Sequence, residues 1–137
     1  MRLRGLSYSE AVTLVLEHLG QADASIPDPP TAGTTAWWRI APDVAVLRFP
    51  ERTRKAMPYW WDGHRWVNKH APGPRRLYWP RRLASAPVLI VEGEPAADAA
   101  ARLFPGHAVV TWVGGTGNIK LAAWDALRGR RCQLWPD

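Results

Sequence analysis

Thirteen of the 137 residues are proline. Each withholds an amide donor and clashes with a preceding helical turn, so the chain must be built from short elements joined by irregular connections. Hydrophobic residues still make up 47% of it and charged residues 22%, near globular averages, which argues for a packed core rather than wholesale disorder. The length suits one domain, or one small domain with an appendage, and leaves no room for two full enzymatic domains. A single cysteine, Cys132, excludes an internal disulfide framework and any four-cysteine zinc ribbon, and fits a reducing cytosol. In a strand read as buried, that cysteine is expected to be a small core residue. The longest uncharged run, 103–119, contains His107 and several glycines and spans no bilayer. Met1-Arg2-Leu3-Arg4 resembles a signal n-region, but Glu10, Glu17 and His18 break the apolar core that should follow. The expectation is a soluble cytoplasmic protein with no membrane partner.

The formal charge of +6 is unevenly placed. From Arg48 to Arg82 there are ten basic residues against two acids, Glu51 and Asp62, a net +8 that leaves −2 for the rest. The same stretch holds Phe49, Tyr59, Trp60, Trp61, Trp66, Tyr78 and Trp79. Guanidinium and ammonium groups neutralise phosphates while flat rings stack on unpaired bases, which is how single strands are commonly held. Arg52, Arg54, Lys55, Trp60, Trp61, Arg65, Lys69, Arg75, Arg76, Arg81 and Arg82 are the candidate nucleic-acid contacts, with single-stranded DNA or RNA as partner. A twisted antiparallel sheet with aromatic core and solvated arginines explains the same composition, and both descriptions can hold on opposite faces of one sheet.

Along the chain the pattern changes twice. Ser7-Tyr8-Ser9-Glu10 is a capping-box pattern, and Ala11, Leu14, Val15, His18 and Leu19 form one apolar stripe ended by Gly20, which predicts a helix within 1–20. Residues 21–35, with Pro27, Pro29, Pro30 and Gly33, read as a linker. Residues 36–86 carry short extended runs at 36–40, 44–49, 58–61 and 65–68, with Asp62-Gly63 as a hairpin signal between two aromatic runs, and predict a small antiparallel β unit. Pro72, Pro74 and Pro80 then read as an irregular passage.

Residues 87–137 follow another pattern. Val88–Val91 is a bare apolar run suited to a strand covered on both faces. Residues 95–104 are Ala-rich, with Pro95 at the first turn and Pro105-Gly106 beyond the end, the punctuation of a short helix. Residues 108–112 read as a second strand, 119–127 as a further helical segment and 131–135 as a third strand. The gaps allow crossover connections, which would make the three strands parallel and gather their carboxyl ends on one edge, where open α/β sheets bind ligands. The expected fold class is therefore α/β, a parallel Rossmann-like sheet preceded by the N-terminal helix and the β unit.

That edge collects chemistry. Glu92 follows the first strand, Gly114-Gly115-Thr116-Gly117 nearly follows the second, and Asp137 follows the third after Pro136. Two carboxylates and a glycine loop suit Mg²⁺ bridging to phosphate oxygens, because hard cations take oxygen ligands and keep several waters.

Residues 88–100, Val-Leu-Ile-Val-Glu-Gly-Glu-Pro-Ala-Ala-Asp-Ala-Ala, resemble the first motif of the TOPRIM domain in primases and primase-helicases of phages and other mobile elements. Trp112–Gly117, Trp124–Arg131 and Leu134-Trp135-Pro136-Asp137 follow in that group's order, and the basic aromatic zone resembles the β-rich segment before the domain. The resemblance implies a DNA primase-type enzyme: Mg²⁺-dependent nucleotidyl transfer in primer synthesis, nucleotides as substrates, and a helicase or other replication protein as partner. It makes Glu92 the general acid or base, Asp137 a metal ligand, and Gly114, Gly115, Thr116 and Gly117 phosphate contacts.

The family's second Asp, two positions on, is absent here, Pro95 stands where Lys is common, and Asp98 receives no metal role. A fragment or shortened relative, weak or inactive alone, is expected. The alternative is a non-catalytic nucleic-acid-binding module or inhibitor derived from a shortened primase. Other chemistries fail: a P-loop needs Gly where Ile119 precedes Lys120, the dinucleotide pattern from Gly115 needs Gly at 120, and no Gly-x-Ser-x-Gly elbow occurs. His64, His70 and His107 lack metal-ligand spacing.

Overall fold

A computed structural model describes residues 26–50 and 56–135. The predicted N-terminal helix, Arg52, Arg54, Lys55 and Asp137 lie outside the described residues.

The first sheet is an antiparallel meander of β1 (Ala36–Ala41), β2 (Val44–Arg48), β3 (Ala56–Trp61) and β4 (Trp66–Val67), in that spatial order. Its register sets Trp38 opposite Val46 and Val46 opposite Pro58, while Trp37, Leu47 and Met57 share the other face, as period-two alternation requires. The turn from β3 to β4 is the Asp62-Gly63 hairpin. Gly63 has φ +104°, and the Asp62 carboxylate accepts from the amides of His64 at 2.8 Å and Arg65 at 3.0 Å. These bonds hold the Asp62 carboxyl below its ordinary pKa.

The second sheet contains β5 (Tyr78–Arg81), β6 (Val88–Ile90), β7 (Ala108–Thr111) and β8 (Cys132–Leu134), ordered β5-β7-β6-β8. β6 pairs parallel with both β7 and β8, and β5 pairs antiparallel with β7. One helix, α1 (Glu94–Leu103), connects β6 to β7. The apolar run of β6 is bare because both faces are covered. Leu89, Val91 and Val109 pack against Ala97, Ala100 and Ala101 of α1, while Val88, Ala108 and Val110 pack with Leu77, Trp112 and, more peripherally, Trp124 and Leu127.

The expected parallel, Rossmann-like α/β class is corrected by this architecture. The described elements are mostly strands in two sheets, one all antiparallel and the other mixed. Pro80 concealed the mixed edge. Proline is tolerated in an edge strand, where its missing donor breaks no ladder, so Tyr78–Arg81 is a strand and not an irregular passage. The helix expected at 119–127 is instead two 3₁₀ segments, Thr116–Leu121 and Trp124–Leu127. Cys132 is exposed on the outer strand β8 and is not a core residue.

Asp98 of α1 joins the layers. It accepts from Trp38 Nε1 of the first sheet at 2.7 Å and from Tyr78 Oη of the second at 2.6 Å. Burial, then this bond to a carboxylate, pushes the Tyr78 hydroxyl well above its ordinary pKa.

Candidate functional site

At the end of β6 the chain turns through Glu92-Gly93 into α1. Gly93 has φ +95° and ψ 150°, a conformation open essentially to glycine alone. Its amide donates to Thr111 Oγ1 at 2.9 Å, and its carbonyl accepts from the Ala97 amide at 3.0 Å. One residue thus ties β6 to β7, starts α1 and leaves Glu92 at the carboxyl edge.

β7 leads through Trp112 and Val113 to Gly114 and Gly115, with φ +97° and +73°. Three side chains hold this loop. Trp112 Nε1 donates to the Gly115 carbonyl at 2.8 Å, Asn118 Nδ2 donates to the Gly114 carbonyl, and Thr116 Oγ1 donates to Glu92 Oε1 at 2.6 Å. A Cβ at Gly114 would lie 2.8 Å from Asn118 Nδ2, so only glycine lets Asn118 close the loop. Glu92 and the Gly114–Gly117 loop therefore meet, and all four loop residues are exposed.

This edge opens on a cleft of about 910 Å³ between the two sheets. Val46, Met57 and Pro58 line it from the first sheet, Lys69 and His70 from the connection, and Glu92, Glu94, Trp112 and Asn118 from the second. Glu94 is only 8% exposed, and burial, reinforced by the nearby Asp98 charge, raises its carboxyl pKa. His70 is shifted the other way, lowered by burial and then by Arg75.

The cationic and aromatic candidates are divided among several places. Trp60 shares the cleft-side face of the first sheet, by register with Val44, and Lys69 Nζ stands 5.2 Å from its ring. Trp61 lies on the opposite face, edge-on to Trp66 at 5.9 Å. Arg75 Nη1 donates to Asn118 Oδ1, which links the basic segment to the glycine loop. Arg76 pairs with Asp43 at 2.7 Å, Arg81 donates to the Phe104 carbonyl at 3.2 Å, and Arg82 stacks on Trp79 at 5.1 Å. Arg65 is exposed beside the hairpin turn.

Sequence reasoning missed Thr111, Asn118, His70 and Glu94 as parts of this site. Asn118 carried a usable signal, since an amide four residues after a glycine with a forced turn can close that turn. His70 carried none, because a connecting loop places it.

The edge offers oxygen donors, the Glu92 carboxylate and the Thr116 hydroxyl, which suit a hard cation such as Mg²⁺. Among the described residues no three His, Cys, Asp or Glu side chains form a metal-holding group. Nor is any helix among them long and apolar enough to cross a membrane. Comparison with protein-family models, with curated proteins and with solved structures finds no match.

Proposed function

We propose that this chain is the strand-holding and nucleotide-binding part of a cytoplasmic, phage- or mobile-element-type DNA primase, related to TOPRIM proteins through its glutamate motif, and that alone it binds single-stranded nucleic acid but transfers nucleotides weakly or not at all. The observation that carries this reading is the hydrogen bond from Thr116 of the glycine loop to Glu92 at the mouth of the large cleft. It sets a carboxylate beside an exposed glycine loop whose amides can meet phosphate oxygens, with Lys69 on the cleft lining and the Trp60 ring behind it at 5.2 Å from its Nζ. Glu92 is the general acid or base for the attacking hydroxyl. Asp137, which lies outside the described residues, would hold Mg²⁺, whose chemistry is to neutralise the phosphate charge that develops during transfer. A helicase or another replication protein is the implied partner.

The test is fluorescence anisotropy with a labelled single-stranded oligonucleotide, paired with templated primer synthesis. We expect the wild-type chain to bind the strand at low salt, with Glu92→Gln weakening the Mg²⁺-dependent part of nucleotide binding. Failure to bind any single strand overturns the reading, and robust primer synthesis by the chain alone overturns its catalytic part. The cation–ring pairs Lys69–Trp60 and Arg82–Trp79 also favour a non-catalytic binder. That second reading gains if Mg²⁺ and Glu92→Gln change nothing while Arg75→Ala with Arg76→Ala weakens binding.

A further inference from the structure

A second cleft, of about 630 Å³, lies between residues 71–75 and 120–125. Its size falls within the roughly 300–1,000 Å³ of small-molecule sites. Two backbone hydrogen bonds hold its walls together, from the Arg75 amide to the Leu121 carbonyl at 2.9 Å and from the Ala123 amide to the Arg75 carbonyl at 2.7 Å. His70 lines this cleft and the large one alike. Arg75 lines the second and, through Asn118, touches the loop that borders the first. The two clefts are therefore adjacent and share His70.

The chemistry of the second cleft matches one unit of a nucleic-acid strand. Lys120 is exposed and makes no ion pair among the described residues. Arg75 spends one nitrogen on Asn118 and keeps further donors of its guanidinium. The one acid on the lining, Asp125, is turned to Arg128 at 3.2 Å, which offsets its repulsion of an anion. Trp124 supplies a flat ring fixed in advance, since its Nε1 donates to the Ile119 carbonyl at 2.6 Å and its ring packs on Trp112 at 6.0 Å. A ring already immobilised loses little entropy when a base stacks on it.

We propose that this cleft is a second nucleotide subsite, in which Arg75 and Lys120 take a backbone phosphate of a single strand and Trp124 stacks on the neighbouring base. The proposal rests on the large cleft being a nucleic-acid site and extends it by naming where the strand continues. Arg75 belongs to the basic segment 48–82, whereas Lys120 and Trp124 lie outside both that segment and the Glu92 motif, so the subsite extends the basic surface to residues that its charge did not mark.

The test uses the full chain and labelled oligo-dT of increasing length, from two to twelve nucleotides. We expect Trp124→Leu and Lys120→Ala each to weaken the longer oligonucleotides about tenfold and to leave the shortest, which fill only the large cleft, unchanged. Trp124 belongs to a packed cluster, so Lys120→Ala, at an exposed position, decides the matter if Trp124→Leu does not fold. Photo-crosslinking with 5-iododeoxyuridine should place an adduct on Trp124. Wild-type binding that neither variant alters at any length, with no adduct on residues 120–125, overturns this subsite and leaves the large-cleft reading standing. Absence of binding by the wild type overturns both.

Discussion

Glu94 sits in the first turn of α1, where a carboxylate gains from the helix N-terminus, yet it is 8% exposed and its pKa is raised. Desolvation therefore outweighs the helix end. Asp98 adds to the rise, while Arg48 acts against it. In the unfolded chain the carboxyl returns to its ordinary 4.5, so the unfolded state ionises first as pH rises. Stability associated with Glu94 is full below that value and is lost as pH climbs through the raised folded pKa. Glu94→Gln is expected to raise Tm at pH 7 to 8, with the gain vanishing below pH 4.5; thermal melts across that range check it, and a constant gain would contradict it. Gly93 presents a different constraint at the same corner. Gly93→Ala forces an L residue into φ +95° and is expected to cost about 1–3 kcal/mol, read by denaturant titration.

At the scale of elements, strands with ordinary patterns were legible in the sequence and those with disguised edges were not. β1 to β4 follow alternating aromatic and aliphatic runs around Asp62-Gly63, and β6 and β7 follow bare apolar runs. β5 is hidden because Pro80 mimics a breaker, and 119–127 forms two 3₁₀ segments rather than one helix because its apolar residues, Ile119, Leu121, Trp124 and Leu127, make no continuous helical face. Long-range joints left no local trace at all. Asp98 receives no metal role from the sequence, and only the packed layers show it gripping Trp38 and Tyr78. Asp98→Ala leaves two partly buried donors without their acceptor and is expected to destabilise the chain by about 2–3 kcal/mol. Asp98→Asn, which retains an acceptor, should recover part of that loss. Equal destabilisation by the two variants would show that these hydrogen bonds contribute nothing to the joint.

Considered as a whole molecule, the chain distributes its positive charge less generously than composition suggests. The +8 of residues 48–82 invites a strand wrapped along ten cations, but the fold already engages several of them. Arg76 is neutralised by Asp43 and Arg81 is turned to the Phe104 carbonyl. The described lysines and arginines that line the two clefts are Lys69, Arg75 and Lys120, the last from outside the basic segment. Counterion release distinguishes these descriptions, because for single strands log K falls against log salt by about 0.7 per phosphate neutralised. Replacing Lys69, Arg75 and Lys120 together by Ala should flatten the slope by about 2, whereas Arg76→Ala should scarcely alter it, since its partner Asp43 already offsets its charge. Anisotropy titrations between 50 and 200 mM salt measure both slopes. An equal flattening by Arg76→Ala would mean that the strand follows total charge rather than the clefts, and the route through His70 and Trp124 would then lose its electrostatic basis.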